Sequence, residues 1–393
     1  MTHDADRHAE VLKHFGAIEQ AERDQRRREI EDLKFARALK PEDQWSQEAL
    51  DLRAPIVGPN GQMMPGRPAL TINKLEQPLE QIAAQYRNAK IDLTVRPEGD
   101  GANDATALAM ADTLREIQYN SNAVIQRGWA LERAARAGRA YYRILKTWAN
   151  DGDWDQDIVI KRILDQHSVY FGYAQEADLS DAEDCYLTVD LPIETYRRVY
   201  PESAVAGMGD EDLRGLGNAV PHWFQVSSNG NAPSVRVAEH YYVEHETRTR
   251  VELEDGTTGW LDELGLKASD ARIRRRRQVE QRHVKWELLN GHEFLDAEDT
   301  DGRYIPVVPV IWKEDYVDGE HSWTGIVHPA KDACRMYNYG ASHLADQVSM
   351  ATQTQRVGYK ESFEGLEAFW AQAAVRRFPY LPVNRQDQTT PLP

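Results

Sequence analysis

Four aspartates recur at every second position in a stretch where carboxylates could hold a cation. They are Asp151, Asp153, Asp155 and Asp157. Alternating oxygens of this kind open a calcium-binding loop, which also needs a glycine at its sixth position and a bidentate glutamate at its twelfth. Those positions hold Gln156 and Arg162 here, so bidentate closure is lost. We therefore predict a solvated hairpin tip and no metal site.

Two histidines, His240 and His245, flank a Tyr-Tyr pair in a predicted strand. No third ligand for a metal lies within reach along the sequence, and an offset of five residues points the two side chains to opposite faces of a strand. We expect both to be strand-surface residues. The sequence also lacks the phosphate-loop, nucleophile-elbow and zinc-protease motifs. We predict no enzyme, no catalytic residue and no cofactor, so any nucleotide hydrolysis would come from a partner.

A concentrated basic run occupies another predicted strand. Its members are Arg272, Arg274, Arg275, Arg276 and Arg277, and Arg282 and Lys285 follow. Such a run can contact phosphates. It can equally form a solvated strand edge that charge keeps from pairing, or a row of salt bridges between subunits. Only Trp286 is available there to stack on bases, so base-specific recognition is not expected.

The overall charge argues against broad binding of nucleic acid. The 393 residues carry 64 acidic and 47 basic side chains, a formal charge of −17. This sign repels phosphates, although an acidic wall would also let DNA slide without sticking. The sequence shows neither a signal peptide nor a membrane-spanning stretch. Cys185 and Cys334 suggest neither a disulfide framework nor a zinc site, so synthesis in a reducing cytoplasm fits.

Helices dominate the elements predicted for the first third of the chain. Residues 8–39 follow a helical spacing that Pro41 ends, and a loop rich in proline and glycine comes next. Beyond the loop we expect a helix over about residues 75–86, and then two more helices with Asp104 and Ser121 as their N-caps. Gly138 is well placed to end the second of them.

Strands dominate the middle of the chain. Alternation predicts strands at 91–95, 141–148, 158–163, 235–243 and 279–289. A helix-like piece lies around residues 261–266, and Asn290-Gly291 is a strong hairpin-turn signal. A last helix over residues 330–350 has Pro329 in its first turn. The pattern as a whole predicts an α+β fold.

An ordered set of motifs resembles the portal proteins of tailed phages, particularly the short-tailed type. Its centre is Tyr304-Ile-Pro-Val-Val-Pro-Val310, then Gly325-Ile-Val327, then Lys331-Asp-Ala-Cys-Arg-Met-Tyr-Asn-Tyr339. Further matches are Asp43-Gln-Trp45, Arg67 to Lys74, Gly128 to Gly138, Ser168 to Phe171, Asp178 to Glu183 and Val237 to Val243. Their order over residues 43–382 makes the resemblance specific.

The resemblance implies a portal-like fold assembled as a dodecameric ring at one vertex of the capsid. The ring would be the channel through which double-stranded DNA is packaged and ejected, without sequence specificity. The expected segments are an N-terminal helical arm and loop (1–66), the wing (67–235), the stem and clip region (236–328), the stem helix (329–350) and the start of a second wing segment (351–393). The rest of the family fold would be missing.

The resemblance also implies partners and a location. The partners would be further copies of the chain, the passing DNA, the terminase large subunit, head-tail adaptor and tail proteins, and capsid and scaffolding proteins. No membrane partner is expected. The protein would be made in the host cytoplasm and would lie at the portal vertex of the virion.

The stem helix would have one face toward neighbouring subunits and another toward an aqueous lumen. The apolar face would hold Ala333, Met336, Tyr337, Ala341, Leu344 and Val348. The lumen face would hold Lys331, Arg335, Asn338, Ser342 and Asp346. The first four of these, with the arginine run, are the candidate contacts with DNA or the channel.

Two other hypotheses stand beside the portal hypothesis. One is a head-completion or baseplate protein without a DNA channel. The other is a metal-dependent nuclease built on the acidic loops at 151–157 and 178–184, which predicts that Asp153→Ala abolishes cleavage.

Overall fold

The structure is a computed structural model that describes most of the chain. The described residues are 2–57, 63–64, 66–89, 91–98, 103–150, 152, 154–220, 222–225, 233–254, 256–267, 270, 272–300, 302–351, 363–367, 370 and 382–384. Helices and strands are both abundant among them, so the predicted α+β class is confirmed. No helix in these ranges has both the length and the apolar character that crossing a membrane requires.

Helices lie before, within and after the strand-rich middle of the chain. They are α1 (Thr2–Arg37), α2 (Pro41–Gln44), α3 (Gln47–Asp51), α4 (Glu76–Asn88), α5 (Asp104–Asn120), α6 (Ala123–Ala137), α7 (Ile193–Val199), α8 (Asp210–Ala219) and α9 (Val327–Ala351). The predicted first and last helices are confirmed, and Pro329 lies in the first turn of α9, where its missing N–H is harmless.

Strands fill most of the interval between α6 and α9. They are β1 (Ile56–Val57), β2 (Met63–Met64), β3 (Arg139–Trp148), β4 (Gln156–Arg162), β5 (Val169–Phe171), β6 (Asp184–Pro192), β7 (Phe224–Gln225), β8 (Ser234–Leu253), β9 (Thr258–Trp260), β10 (Ile273–Asn290), β11 (Phe294–Asp299), β12 (Val307–Ile311), β13 (Glu314–Val317) and β14 (Glu320–Trp323). Two sequence predictions fail here. Residues 91–98 contain neither helix nor strand, because an alternating pattern forms a strand only when another strand pairs with it. The helix-like piece predicted around residues 261–266 forms turns over residues 261–265.

The helix caps differ from the predicted ones by one residue. Asn103 caps α5 by accepting a hydrogen bond from the backbone N–H of Ala105 at 2.9 Å, and Asn122 precedes α6. Gly138 ends α6 as predicted, with φ of 114°. A Cβ atom there would lie 2.7 Å from the backbone nitrogen of Thr324, so only glycine fits this end of the helix.

A seven-stranded antiparallel sheet carries the two longest strands. Its path is β11-β10-β8-β6-β5, and β7 and β9 also pair with β8. We call residues 234–243 and 284–290 of β8 and β10 the inner ribbon, and residues 244–253 and 273–283 the outer ribbon. The inner ribbon lies between β6 and β11, whereas β9 pairs with β8 in the outer ribbon. The predicted turn at Asn290-Gly291 joins β10 to β11.

A three-stranded sheet, in the order β12-β3-β4, contains the predicted hairpin of β3 and β4. Pro309 lies in β12, at the edge of this sheet, where a missing N–H is tolerated. After β14, the backbone N–H of Ile326 donates to the carbonyl of Ala135 at the end of α6. The two portal-like motifs around Pro309 and Ile326 therefore both pack near the α6–β3 junction.

The chain divides into two compact units. One unit contains Met1–Leu33 and Pro78–His328, and the other contains Lys34–Gln77 and Pro329–Pro393. The core of the first unit is aromatic, since Phe15 of α1 meets the rings of Tyr170, Tyr186 and Trp223 at centroid distances of 4.9–5.3 Å. The seven-stranded sheet and its charged ribbon belong to this first unit.

Candidate functional site

Helix α9 buries polar side chains within its own compact unit. Asn338 accepts a hydrogen bond from the backbone N–H of Ile72 at 3.0 Å and donates to the side chain of Gln44 at 2.7 Å. Ser342 accepts from the backbone N–H of Leu70 at 2.9 Å. Both side chains are fully buried. They fix the extended segment that precedes α4, and their burial contradicts the expectation that they face an aqueous lumen.

The two basic candidates on α9 lie over one aromatic ring. The Lys331 ammonium and the Arg335 guanidinium are 6.0 and 5.5 Å from the ring centroid of Phe35. Lys331 is buried, so it too disagrees with a lumen-facing position. Arg335 is half-exposed and pairs with Asp332 at 3.4 Å. Contact of these side chains with DNA stays a prediction.

The opposite face of α9 is apolar and exposed. Met336 is 77% exposed, Leu344 62% and Val348 63%. Tyr337 lies on the same face, with the Lys74 ammonium 4.8 Å from its ring centroid. Apolar area in water costs about 25 cal/mol per Å² relative to burial, and contiguous apolar patches mark interaction sites. This face is the one for which the sequence predicted packing on neighbouring subunits.

The arginine run lies on the outer ribbon, where most of its side chains are exposed. One carboxylate, Glu252, faces both Arg274 at 3.1 Å and Arg275 at 3.0 Å. Arg272 pairs with Asp270 at 2.9 Å. Salt bridges within the chain therefore use part of the run, whereas the predicted alternative was a row of salt bridges between subunits, which stays a prediction.

Arg277 differs from its neighbours in the run. It lies directly opposite Arg250 of β8, and across the described chain no ion pair or hydrogen bond is formed by its guanidinium. Arg250 lies over the ring of Trp260, 5.3 Å from the centroid. Like charges directly opposite on two strands repel each other. The pair leaves positive charge on one face of the ribbon.

A buried charged network crosses the inner ribbon, and the sequence did not predict it. Nδ1 of His240 lies 2.7 Å from a carboxylate oxygen of Glu287, and Nε2 lies 3.3 Å from one of Asp184. The ring stacks on Tyr186 at 4.1 Å between centroids. The other oxygen of Glu287 pairs with Arg7 of α1. The prediction that His240 is a surface residue is therefore wrong, because two carboxylates compensate its burial.

The environment of His240 favours its charged form. Burial alone would lower the pKa of this imidazole, but the hydrogen bonds to Asp184 and Glu287 outweigh burial and raise the pKa. A signal for this network exists in the sequence. Glu287 interrupts the apolar run Trp286-Glu-Leu-Leu289, and a charge in a buried strand needs a buried partner.

A second buried network joins α1 to β3. Arg139 donates to Glu29 at 2.9 Å and to Glu22 at 2.8 Å, and its guanidinium lies over the ring of Trp323. Burial raises the pKa of Glu29. For Glu22, burial also acts to raise the pKa, but the charges of Arg139 and Arg26 outweigh it and lower the pKa. These groups position the first residue of the β3–β4 hairpin.

Comparison with known proteins identifies the family to which the chain belongs. The family model for phage P22-like portal proteins matches residues 12–393. The chain belongs to this family. A curated relative, the "Portal protein" of Acyrthosiphon pisum secondary endosymbiont phage 1, is 26% identical over 396 residues, which cover 96% of this chain and 52% of the relative. The predicted resemblance to phage portal proteins is confirmed, and the chain spans about half the length of that relative.

Portal proteins of this family are structural proteins rather than enzymes. Where this portal-family chain is described, no group of three His, Cys, Asp or Glu side chains could hold a metal ion. Asp151 and Asp153, on which the calcium and nuclease hypotheses depend, lie outside the described residues. In the second acidic loop, Asp181 accepts hydrogen bonds from the backbone N–H groups of Gln175 and Glu176 at 2.6 and 3.1 Å. That carboxylate stabilises a turn.

Proposed function

We propose that this chain is part of a portal subunit that assembles into a dodecameric ring and conducts double-stranded DNA during packaging and ejection. The match to the portal family over residues 12–393 carries this proposal. The terminase large subunit, head-tail adaptor and tail proteins, capsid and scaffolding proteins are its proposed partners. Residues 67–235 are proposed as wing, 236–328 as stem and clip, 329–350 as stem helix, and 351–393 as the start of a second wing segment.

The exposed face of α9 supports ring assembly by this chain. A soluble subunit gains free energy by covering Met336, Leu344 and Val348, whereas the opposite face already binds its own unit through Asn338 and Ser342. A second copy supplies that cover. Heterologous contacts of this kind close into a ring when the rotation between copies is a simple fraction of a turn.

Charge supports a channel that does not retain DNA. The formal charge of −17, repeated in each subunit, repels phosphates from the wall. Arg335, half-exposed beside Asp332, is the proposed contact that holds phosphates briefly. Passage would thus depend on weak contacts that salt screens.

Electron microscopy and native mass spectrometry of the purified chain test this proposal. We expect rings with a lumen wide enough for a DNA duplex. Met336→Asp places a charge on the exposed face of α9 and should prevent ring formation, whereas Met110→Asp makes the same change at an exposed position of α5 and should not. A persistent monomer under all conditions, or a lumen narrower than a duplex, would contradict the proposal.

A further inference from the structure

The outer edge of β10 is open along the outer ribbon. In the inner ribbon, the backbone N–H of Val284 donates to Gly302 and its carbonyl accepts from Thr300, on the side away from β8. Backbone groups of an antiparallel strand alternate between its two sides, so those of Gln278 and Glu280 face the same way. Within the described residues, no strand pairs with β10 on that side in the outer ribbon.

The residues of β10 along this open edge are mostly basic. Arg274 and Arg275 share the single carboxylate of Glu252. Arg277 adds a guanidinium that is opposite Arg250 and has no carboxylate partner in the part of the chain that the structure describes. Side chains at 275 and 277 lie on one face, since residues two apart on a strand point the same way. Carboxylates at alternate positions of an added strand would lie beside both.

This combination fits a polypeptide better than a nucleic acid. An open strand edge offers alternating N–H and C=O groups, which match another extended backbone and not a phosphate backbone. The outer ribbon carries seven basic and four acidic side chains, and the acidic residues of the segment that joins its two strands balance this excess, so the positive field available to attract a duplex is weak. Charge on the edge strand alone selects an acidic partner, because cross-strand neighbours of opposite charge attract.

We propose that the outer edge of β10 binds an extended acidic polypeptide segment, which adds to the sheet as a further strand and places carboxylates beside Arg275 and Arg277. Main-chain hydrogen bonds would give affinity, and the alternation of acidic side chains would give specificity. The added strand would continue the line of β11, which already pairs with the inner part of β10. This inference does not depend on ring assembly or on DNA passage.

A labelled heptapeptide of alternating glutamate and threonine tests the proposal by fluorescence anisotropy with the full chain. We expect saturable binding that falls at least tenfold when alternate peptide nitrogens of the probe are methylated, because methylation removes its donors and keeps its charge. A glutamine-threonine heptapeptide should bind at least tenfold more weakly, because it keeps the donors and lacks the charge. Weaker binding of both the methylated probe and the uncharged probe would indicate that an acidic segment adds to the sheet as a strand.

Two matched protein variants locate the site. Arg277→Gln should weaken binding of the heptapeptide at least tenfold, whereas Arg276→Gln, at the adjacent position and therefore on the other face of the strand, should change it less than threefold. Circular dichroism checks that both variants fold. Three results would overturn the proposal: no binding at millimolar probe, equal binding of the methylated probe, or displacement of the probe by a short DNA duplex that binds more tightly. The first would mean that the arginines guard the edge against pairing.

Discussion

The inner and outer ribbon are two halves of one antiparallel strand pair, and both carry charged side chains in register. In the inner ribbon, Glu287 is 1% exposed and lies between His240 and Arg7. In the outer ribbon, Glu252 lies between Arg274 and Arg275, whose side chains are 59% and 71% exposed. Each carboxylate has two ionic partners, but the inner carboxylate is buried and the arginines that flank the outer one are exposed to water.

That difference sets what each charge can do. A buried ion that loses its partner keeps its desolvation cost, so the inner network holds α1, β6, β8 and β10 in one arrangement. An exposed ion pair is worth about 0–1 kcal/mol, because water solvates each partner almost as well. The outer arginines can therefore exchange partners at little cost. One strand pair thus combines a fixed anchor with a surface that is free to bind.

The largest expected effect is on the inner ribbon. Glu287→Gln removes the shared charge and leaves His240 and Arg7 without their common carboxylate, so the free energy of unfolding should fall by about 3–5 kcal/mol. Urea titration monitored by tryptophan fluorescence measures the loss. Glu252→Gln is the matched control on the same strand pair. Equal losses for the two variants would mean that burial does not distinguish the halves.

Arg7→Met should have the next largest effect. Its guanidinium side chain is 42% exposed, so loss of this pair should cost about 1–2 kcal/mol, less than removal of the buried carboxylate. Hydrogen exchange of the amides at the start of α1 should become faster, because this contact fixes α1 to the sheet. Arg23→Met, at an exposed position of the same helix, should leave exchange unchanged. Unchanged protection in Arg7→Met would show that Phe15 and its aromatic neighbours alone hold α1.

The next largest effect should be the dependence of stability on pH that His240 gives to the inner ribbon. The pKa of His240 is raised above its ordinary value of 6.5, so the charged form stabilises the fold below pH 6.5 and this contribution is lost as pH rises through the folded-state pKa. The stability difference between the natural chain and His240→Gln should therefore be largest in acid and shrink above neutrality. Measuring the difference cancels His8, whose pKa burial lowers and which therefore acts with the opposite sign. A difference that grows with pH would contradict this assignment.

Much of the fold could be predicted from the sequence because local signals set it. The strand pattern at 279–289, the turn at Asn290-Gly291 and the stop at Gly138 each depend on residues close in sequence. The inner network could not be predicted in the same way. His240 and Glu287 are 47 residues apart, and only the register of β8 against β10 brings them together.

Helix α9 shows the same limit in its polar face. The sequence identified an amphipathic helix and assigned the apolar face to neighbouring subunits, and that face is exposed. Its polar residues were expected to face water because polar side chains on helices usually do. Asn338 and Ser342 instead satisfy the backbone N–H groups of Ile72 and Leu70, which lie outside every strand of the described chain. Their environment is set by a segment more than 260 residues earlier in the chain. The periodicity of α9 contains no information about that segment.

The smallest expected effect on stability is that of Glu252→Gln, and this variant best separates the roles of the charges in the inner and outer ribbons. The variant should lose less than about 1 kcal/mol, and the loss should shrink further in high salt, because both pairs are exposed. The same change releases Arg274 and Arg275 from their shared carboxylate, so the glutamate-threonine heptapeptide should bind more tightly to the variant than to the natural chain. Anisotropy titrations at two salt concentrations measure this. A large loss of stability together with unchanged binding would mean that the outer ribbon, like the inner one, uses its charges only to hold its own fold.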